Sequence, residues 1–201
     1  MLTALLVRHA SCDHVGQRIA GRLPGVQLNA LGTTQAEALA EVIAGLGIAA
    51  IYSGPLERAR QTAGILAART GHQVRLAPGL DELDFGTWTG RSLASLDSDP
   101  VWQAFNQARD TTRIPGGELM SEAVDRARAE LARMEDAHPD ATVVAVSHGD
   151  VIRGLLVRCL GLPMGAVHRL EASPASVSVI RLWPGSSQVV AVNWVAGVPP
   201  R

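Results

Sequence analysis

The sequence predicts an α/β fold with three layers, α/β/α, in which a mostly parallel central sheet carries an antiparallel hairpin at one edge near the C-terminus. Short apolar runs rich in β-branched residues, such as Thr142–Val146, are typical of parallel strands that are buried on both faces. Segments with helical spacing of apolar residues alternate with these runs, as βαβ units require. Near the end of the chain, Ser176–Trp183 and Gln188–Trp194 flank Pro184–Ser187, a pattern that predicts a hairpin.

The chain of 201 residues is long enough for one full-sized core and favours a single domain over residues 1–201. Strands are predicted at Leu2–Val7, Ala50–Ser53, Gln73–Leu76 and Thr142–Val146. Helices are predicted at Thr33–Leu46, Gly54–Gly71, Glu118–Ala137 and Asp150–Leu160. Pro55 favours the start of a helix and Gly71 the end of one. Apolar residues at helical spacing between Met120 and Met134 indicate an amphipathic helix.

The segment Thr87–Pro115 is the least regular part of the chain. Short helices are predicted within it at Ser92–Leu96 and Val101–Arg109, and it holds the aromatic residues Trp88, Trp102 and Phe105. We therefore expect a cap-like insertion at about residues 87–115 that covers a pocket.

Composition limits the partners of the protein. The net charge of −1 and a charged fraction of 18% indicate no overall attraction to nucleic acid or to an anionic membrane, so anion binding requires a local cluster of arginines. Only two cysteines are present, Cys12 and Cys159, too few for a disulfide framework. No signal peptide or membrane-spanning segment is recognisable, so we expect a cytoplasmic protein with reduced thiols. Whether it forms a homo-oligomer stays open.

A histidine follows each of the two most apolar predicted strands. Arg8-His9 follows Leu2–Val7, and His148, between Ser147 and Gly149, follows Thr142–Val146. Ligands of open α/β sheets bind at the carboxyl ends of the strands, so both imidazoles and Arg8 are expected over one anionic group. In the competing structural interpretation, Arg8 pairs with a carboxylate and His9 only caps a loop.

Two further candidates also follow predicted strands. Arg58 lies in the first turn of a helix, where the helix dipole favours anions, and Arg60 is expected to face solvent. Glu82 lies in an acidic loop and could protonate the leaving group of a phosphoester. Taken alone, Arg58 is better explained by an ion pair with Glu57, Asp81 or Asp84, and Glu82 by a solvated acidic surface loop.

The remaining polar residues carry weaker signals. Gly149 permits close approach of a ligand to the backbone, and Asp150 is expected to cap the helix after it. A zinc site built from His9, His148 and Glu82 is an alternative, but Arg8 and Arg58 would oppose a divalent cation. Anion binding is therefore favoured over a metal site.

The order of the motifs resembles the histidine phosphatase superfamily, also called the phosphoglycerate mutase-like family. The motifs are Val7-Arg8-His9-Ala10, Ser53–Ala63, Glu82–Gly86, Pro115-Gly116-Gly117-Glu118 and Ser147-His148-Gly149, with Gly21–Leu28 and Leu31–Ala36 also similar. The resemblance covers residues 2 to about 195. It implies that His9 attacks phosphorus and forms a phosphohistidine, and that Glu82 protonates the leaving alcohol. It also implies that Arg8, Arg58, His148 and Gly149 hold the phosphoryl group without a metal or cofactor.

Departures from the family pattern favour a phosphatase over a mutase. Mutases typically carry an acid and an asparagine two and six residues after the nucleophile, where this chain has Ser11 and Val15. Ser11 or His14 is expected to replace the lost phosphate contact. Arg22 stands where mutases have tryptophan, and it is expected to contact an acidic part of the substrate.

The resulting hypothesis is a histidine acid-type phosphatase, a phosphoric monoester hydrolase acting on a small phosphorylated metabolite. The alternatives are a phosphoglycerate-type phosphomutase and a non-catalytic protein that binds a phospholigand. The presence of both histidines, both arginines and Glu82 argues against the non-catalytic alternative.

Overall fold

The structure, a computed structural model, describes residues 1–13 and 15–197. Its strands are β1 (Leu2–Arg8), β2 (Ala50–Ser53), β3 (Val74–Leu76), β4 (Thr142–Ser147), β5 (Val177–Trp183) and β6 (Ser186–Trp194). Its α-helices are α1 (Ala30–Ile43), α2 (Glu57–Thr70), α3 (Pro100–Gln107), α4 (Met120–Ala137) and α5 (Gly149–Cys159). Short 3₁₀ helices lie at Pro78–Leu80, Gly86–Trp88 and Met164–Arg169.

The six strands form one sheet in the order β3-β2-β4-β1-β5-β6. The pairs β3–β2, β2–β4 and β4–β1 are parallel, and β5 and β6 are added antiparallel at one edge. This arrangement confirms the predicted α/β class and the predicted edge hairpin. Because β1 and β4 are parallel neighbours with Arg8 opposite Ser147, the chain leaves both strands at the same end of the sheet.

Alternate residues of the central strands contribute to separate cores on the two faces of the sheet. Leu5 and Val7 of β1 pack in a cluster with α1 and α2, whereas Ala4 and Leu6 pack in a cluster with α4 and α5. This alternation is the side-chain period of a strand, and it produces the predicted three layers. No helix in the described part of the chain is long and apolar enough to span a membrane.

Several predicted boundaries are wrong by a few residues because capping decides them. Helix α1 begins at Ala30, three residues before the predicted Thr33, since the Asn29 side chain accepts a hydrogen bond from the Gly32 amide at 2.9 Å. Helix α2 begins at Glu57, so Pro55 lies before the helix. Gly71 ends it with a φ of 73°, as predicted.

The segment 87–115 differs from its prediction in one helix. Residues Ser92–Leu96 form turns, because Ser92 makes an isolated antiparallel bridge with Arg18 that holds this stretch extended at its start. Helix α3 exists, capped by Asp99, which accepts from the Val101 amide at 2.9 Å. Its Phe105 is fully buried and packs at 5.5 Å between ring centroids against buried Trp88. The segment is thus anchored in the same core as α4 and α5.

The close packing of α4 against α5 depends on Gly154. A Cβ atom at this position would lie 2.4 Å from Cγ2 of Val124, a buried and conformationally stiff side chain. We expect Gly154→Ala to lower the free energy of unfolding by about 1–3 kcal/mol through overpacking. The matched control is Gly64→Ala in α2, where nothing lies within 4 Å and alanine should raise stability by about 0.5–1 kcal/mol. Urea denaturation measures the free energy of unfolding of both variants. Equal values for Gly154→Ala and Gly64→Ala would contradict the predicted overpacking.

Candidate active site

The two strand-end histidines meet at the carboxyl edge of the sheet. The His9 amide donates to the Ser147 carbonyl at 2.9 Å, which continues the β1–β4 ladder by one residue. The centroids of the His9 and His148 rings are 5.1 Å apart, and the ring planes are inclined by 56°. Both side chains are buried, with exposed fractions of 4% and 0%. Parallel neighbouring strands therefore place the two imidazoles at one point, as the sequence pattern predicted.

His9 is held in one tautomer. Its Nδ1 lies 2.8 Å from the Ala10 carbonyl oxygen, and a carbonyl can only accept, so Nδ1 carries the hydrogen and Nε2 keeps a lone pair. Burial, followed by the charges of Arg58 and Arg8, lowers the pKa of His9 to about 3. The imidazole is consequently neutral near pH 7, which is the nucleophilic form.

Two guanidinium groups lie beside this histidine, that of Arg58 buried and that of Arg8 partly buried. Nε of Arg58 is 3.4 Å from Nε2 of His9, and Nη2 of Arg58 donates to the Gly21 carbonyl at 2.7 Å. Nη1 of Arg8 donates to the Ala172 carbonyl at 2.6 Å. Within the described residues, Nη1 of Arg58 and Nε of Arg8 have no hydrogen-bond partner. Buried donors without protein partners are rare in folded proteins, and these two are free to donate to an anion at this position.

Glu82 lies beside His148, with Oε2 3.7 Å from Nδ1 of the ring. Burial, and next the negative charge of Asp150, raises the pKa of Glu82 to about 7, although Arg58 and an amide hydrogen bond from Leu83 oppose the shift. The carboxyl group is therefore partly protonated near neutrality and can donate a proton.

His148 and Gly149 lie beside His9 and Arg8. Burial, followed by the charge of Arg58, lowers the pKa of His148 well below its usual value, so its ring is neutral as well. Neither ring nitrogen of His148 has a hydrogen-bond partner within the described residues. A Cβ atom on Gly149 would lie 3.3 Å from Nε of Arg8, so glycine lets the guanidinium pack over the start of α5.

A clamp of Arg22, Glu118 and Arg126 holds the loop that carries Glu82. The Glu82 carbonyl accepts from Nε of Arg22 at 2.9 Å and from Nη2 of Arg126 at 2.8 Å. Glu118 joins the two guanidiniums, accepting from Arg22 at 2.9 Å and from Arg126 at 3.1 Å. Because Arg22 follows Gly21, the clamp also fixes the carbonyl that orients Arg58.

A cavity of about 310 Å³ opens above His9. Arg8, His9, Arg58 and Glu82 line it near the reacting end. The rest of its charged and aromatic lining comprises Arg18, Phe85, Trp102, Arg109, Asp150 and Arg153, while Cys12 and Leu93 are among its smaller wall residues. The arrangement combines a neutral imidazole nucleophile, a protonatable carboxyl group and surrounding cations, which suits transfer of a phosphoryl group.

Comparison with known proteins decides the family. A family model of the histidine phosphatase superfamily (branch 1) matches residues 4–195. The chain belongs to the histidine phosphatase superfamily. A probable phosphoglycerate mutase, GpmB, from Salmonella paratyphi B is 36% identical over 199 residues, which cover 97% of this chain and 91% of that protein. The resemblance noted in the sequence is thereby confirmed.

Solved structures of this superfamily superpose closely on the chain. A mycobacterial glucosyl-3-phosphoglycerate phosphatase superposes with a TM-score of 0.84 at 30% identity, covering 95% of this chain and 98% of its own. A phosphoserine phosphatase variant from Entamoeba histolytica, in complex with phosphoserine, gives a TM-score of 0.87 at 25% identity, covering 96% and 97%. The structural neighbours of this histidine phosphatase superfamily member thus include phosphatases.

Not every predicted site residue of this histidine phosphatase superfamily member lies at the cavity. Ser11 does not line it, and its amide donates to Oε1 of Gln35 at 3.0 Å. Arg22 is directed to protein carboxylates in the clamp, so a contact with substrate stays a prediction that this geometry does not favour. His14 lies outside the described residues. The expected capping role of Asp150 is wrong: it lies inside the first turn of α5 and pairs with Arg109 and Arg153.

The sequence analysis did not identify three arginines at or near the cavity, Arg109, Arg126 and Arg153. Arg153 follows Gly149 by four residues, so helical periodicity places it on the same face as the start of α5, and this signal was available. Arg109 and Arg126 carry no comparable local signal, because their partners are distant in sequence. The described residues contain no group of three or more His, Cys, Asp or Glu side chains arranged to hold a metal ion.

Proposed function

We propose that the protein is a phosphomonoester hydrolase of the histidine acid type that acts through a phosphohistidine on His9, without a metal, on a small phosphorylated metabolite. The observation that carries the proposal is the neutral His9 ring, whose Nε2 lone pair lies 3.4 Å from Arg58, beside guanidinium donors that have no protein partner. A phosphoryl group placed there would meet a nucleophile and cations together.

The first chemical step transfers the phosphoryl group to nitrogen. The Nε2 lone pair of His9 forms a bond to phosphorus as the bond from phosphorus to the ester oxygen breaks. The protonated form of Glu82, which a pKa of about 7 makes available near neutrality, gives its proton to that oxygen, so the alcohol leaves uncharged. Arg8, Arg58 and His148 donate to the three phosphoryl oxygens and stabilise their charge.

The second step returns the site to its starting state. Water attacks phosphorus while Glu82, now a carboxylate, accepts a proton from it. The bond between phosphorus and Nε2 breaks, inorganic phosphate forms, and Glu82 is again a carboxylic acid. The arginines supply the positive charge that stabilises both steps, which is why the proposal requires no metal. The segment 87–115, which contributes Leu93, Trp102 and Arg109 to the cavity, is proposed to cover it.

Phosphomutase activity is a second candidate, favoured by the probable mutase among the relatives. Against it, the named structural neighbours include a glucosyl-3-phosphoglycerate phosphatase and a phosphoserine phosphatase. A small phosphorylated substrate, without nucleic acid or membrane as partner, and a cytoplasmic location remain parts of the proposal.

One assay separates the two candidates. The protein is incubated with p-nitrophenyl phosphate, phosphoserine and 3-phosphoglycerate, with and without EDTA, while phosphate release and phosphoglycerate isomers are followed by phosphorus NMR. We expect hydrolysis that EDTA does not reduce. Isomerisation faster than phosphate release would establish a mutase, and loss of activity in EDTA would restore the metal-site alternative.

The pH dependence of hydrolysis should report Glu82. The acid is active when protonated, and its pKa of about 7 means that kcat/KM for an alkyl phosphate should fall as pH rises above about 7. p-Nitrophenyl phosphate should lack this decline, because nitrophenolate leaves without a proton. Equal declines for both substrates would show that the titrating group is not the acid of the first step.

A further inference from the structure

The cavity holds more positive charge than one phosphate monoester neutralises. Its lining contains five arginines, Arg8, Arg18, Arg58, Arg109 and Arg153, against two carboxyl groups, Glu82 and Asp150. Glu82 is uncharged when it acts as the acid. A phosphomonoester dianion balances the pair beside His9, so the guanidinium groups farther along the cavity keep unbalanced charge.

Arg153 is the best placed of these remaining cations. One carboxylate oxygen, Oδ1 of Asp150, accepts from both Nη2 of Arg153 at 2.7 Å and Nη1 of Arg109 at 2.8 Å. A single carboxylate thus serves two guanidiniums. Nε of Arg153 is buried and has no hydrogen-bond partner among the described residues. The side chain is fixed, lines the cavity and retains donors for a ligand.

Arg109 fixes the position of Asp150 and is itself held by its neighbours. Its side chain is 6% exposed, and its guanidinium lies 4.6 Å from the centroid of the Phe105 ring, while Nη2 donates to Oδ1 of Asn106 at 2.9 Å. Its own Nε is also buried without a partner among the described residues. This anchored guanidinium holds Asp150, and Asp150 in turn aims Arg153. The cluster is preorganised before any ligand arrives.

The charge of Arg153 acts on the residues beside His9. The positive charge of Arg153 contributes to lowering the pKa of Arg8, after burial and against the charge of Glu82. Two guanidiniums that repel each other across a cavity gain from an anion bound between or beside them. Arg18, exposed on the loop that bridges to Ser92, adds a further cation to the rim of the cavity.

We propose that Arg153, held by Asp150 and Arg109 and assisted by Arg18, binds a second anionic group on the substrate, a carboxylate or a second phosphate borne by the leaving alcohol. The inference rests on the proposed function, because that function places the phosphate of the substrate at His9 and so fixes the orientation of the substrate. It narrows the substrate class to small phosphomonoesters that carry two anionic groups. Trp102 and Leu93 supply the apolar wall along the carbon chain between them.

Binding to the inactive His9→Ala variant tests the proposal without turnover. Calorimetry would compare 3-phosphoglycerate with glycerol 3-phosphate, which differs by a hydroxymethyl group in place of the carboxylate. A second pair, 1,3-propanediol bisphosphate and its monophosphate, tests the second phosphate. We expect the doubly anionic member of at least one pair to bind about 10- to 100-fold more tightly, the usual effect of a charged hydrogen bond. The pair with the larger ratio identifies the anion.

Substitutions then show which arginine causes the tighter binding of the doubly anionic compounds. Arg153→Met in the same background should reduce the ratio of the two dissociation constants about 10-fold or more, and Arg18→Gln, on an exposed side chain, should reduce it less. The matched control is Arg158→Met on the same helix, which pairs with Asp125 at 3.0 Å outside the cavity and should keep the wild-type ratio. Equal affinities within each pair, or an Arg153→Met effect that weakens all four compounds equally, would overturn the subsite. If the wild-type protein bound the doubly anionic compounds more tightly and yet hydrolysed none of the four, that result would count against the proposed hydrolase activity but not against the subsite.

Discussion

Replacement of His9 by alanine is expected to lower kcat/KM for every phosphomonoester by roughly 10⁴-fold or more, the scale seen when an enzyme loses its nucleophile. The reason is that no other described side chain at the cavity offers a neutral nitrogen lone pair beside both Arg8 and Arg58. The other imidazole at this edge, His148, is fully buried, and its Nδ1 lies 3.7 Å from Oε2 of Glu82, so the proposed mechanism uses it to hold the phosphoryl group and not as the nucleophile. Steady-state phosphate release with p-nitrophenyl phosphate and with glycerol 3-phosphate measures the loss.

The control for this variant is another histidine outside the site. His72 follows α2, its Nδ1 lies 3.1 Å from the Thr70 carbonyl oxygen, and it does not line the cavity. His72→Ala should keep full activity, and thermal melting should show that His9→Ala remains folded. If a folded His9→Ala protein kept activity within about tenfold of wild type, nucleophilic catalysis by His9 would be disproved.

Substitution of Glu82 by glutamine is expected to slow alkyl phosphates by roughly 10²- to 10⁴-fold and p-nitrophenyl phosphate far less. Glutamine keeps the shape of the side chain but has no proton to give to the ester oxygen. Alkoxide leaves poorly without that proton, whereas nitrophenolate leaves as the anion. Kinetics with the two substrates side by side report the ratio, and the decline of activity above about pH 7 should vanish for the alkyl substrate.

A neighbouring acid provides the comparison for Glu82. Asp84 lies in the same loop, accepts from the Gly86 amide at 2.9 Å and does not line the cavity. Asp84→Asn should change the two substrates by the same factor. If Glu82→Gln also slowed both substrates equally, Glu82 would be a structural residue and the proton would have to come from elsewhere.

The sheet and the reacting end of the site were predictable from the sequence because local patterns encode them. The apolar runs locate β1 and β4, and parallel pairing then brings their following residues, His9 and His148, to one edge. Arg58 in the first turn of α2 reaches the same edge for the same geometric reason. Burial of His9 and Arg58 follows from their position between the sheet and the loops that cover it.

The parts that were not predictable depend on contacts between residues distant in sequence. The start of α1 is an exception, because it depends on a local cap by the Asn29 side chain. In contrast, Arg22 contacts Glu118 across 96 residues of sequence, and Arg109 contacts Asp150 across 41. Hydropathy patterns do not encode such pairings, because an arginine that clamps a loop and one that binds a ligand are the same residue type in similar surroundings.

The covalent intermediate is the central claim, and trapping it is the most direct measurement. Wild-type and Glu82→Gln proteins are mixed with phosphorus-32-labelled p-nitrophenyl phosphate, quenched in alkali within the first turnover, and digested for mass spectrometry. We expect label that is stable in alkali and labile in acid, on the peptide containing His9, with none in His9→Ala. Label on any other residue would contradict the proposed mechanism. So would hydrolysis at the full rate with no trapped label at any time point, because phosphate would then be transferred directly to water.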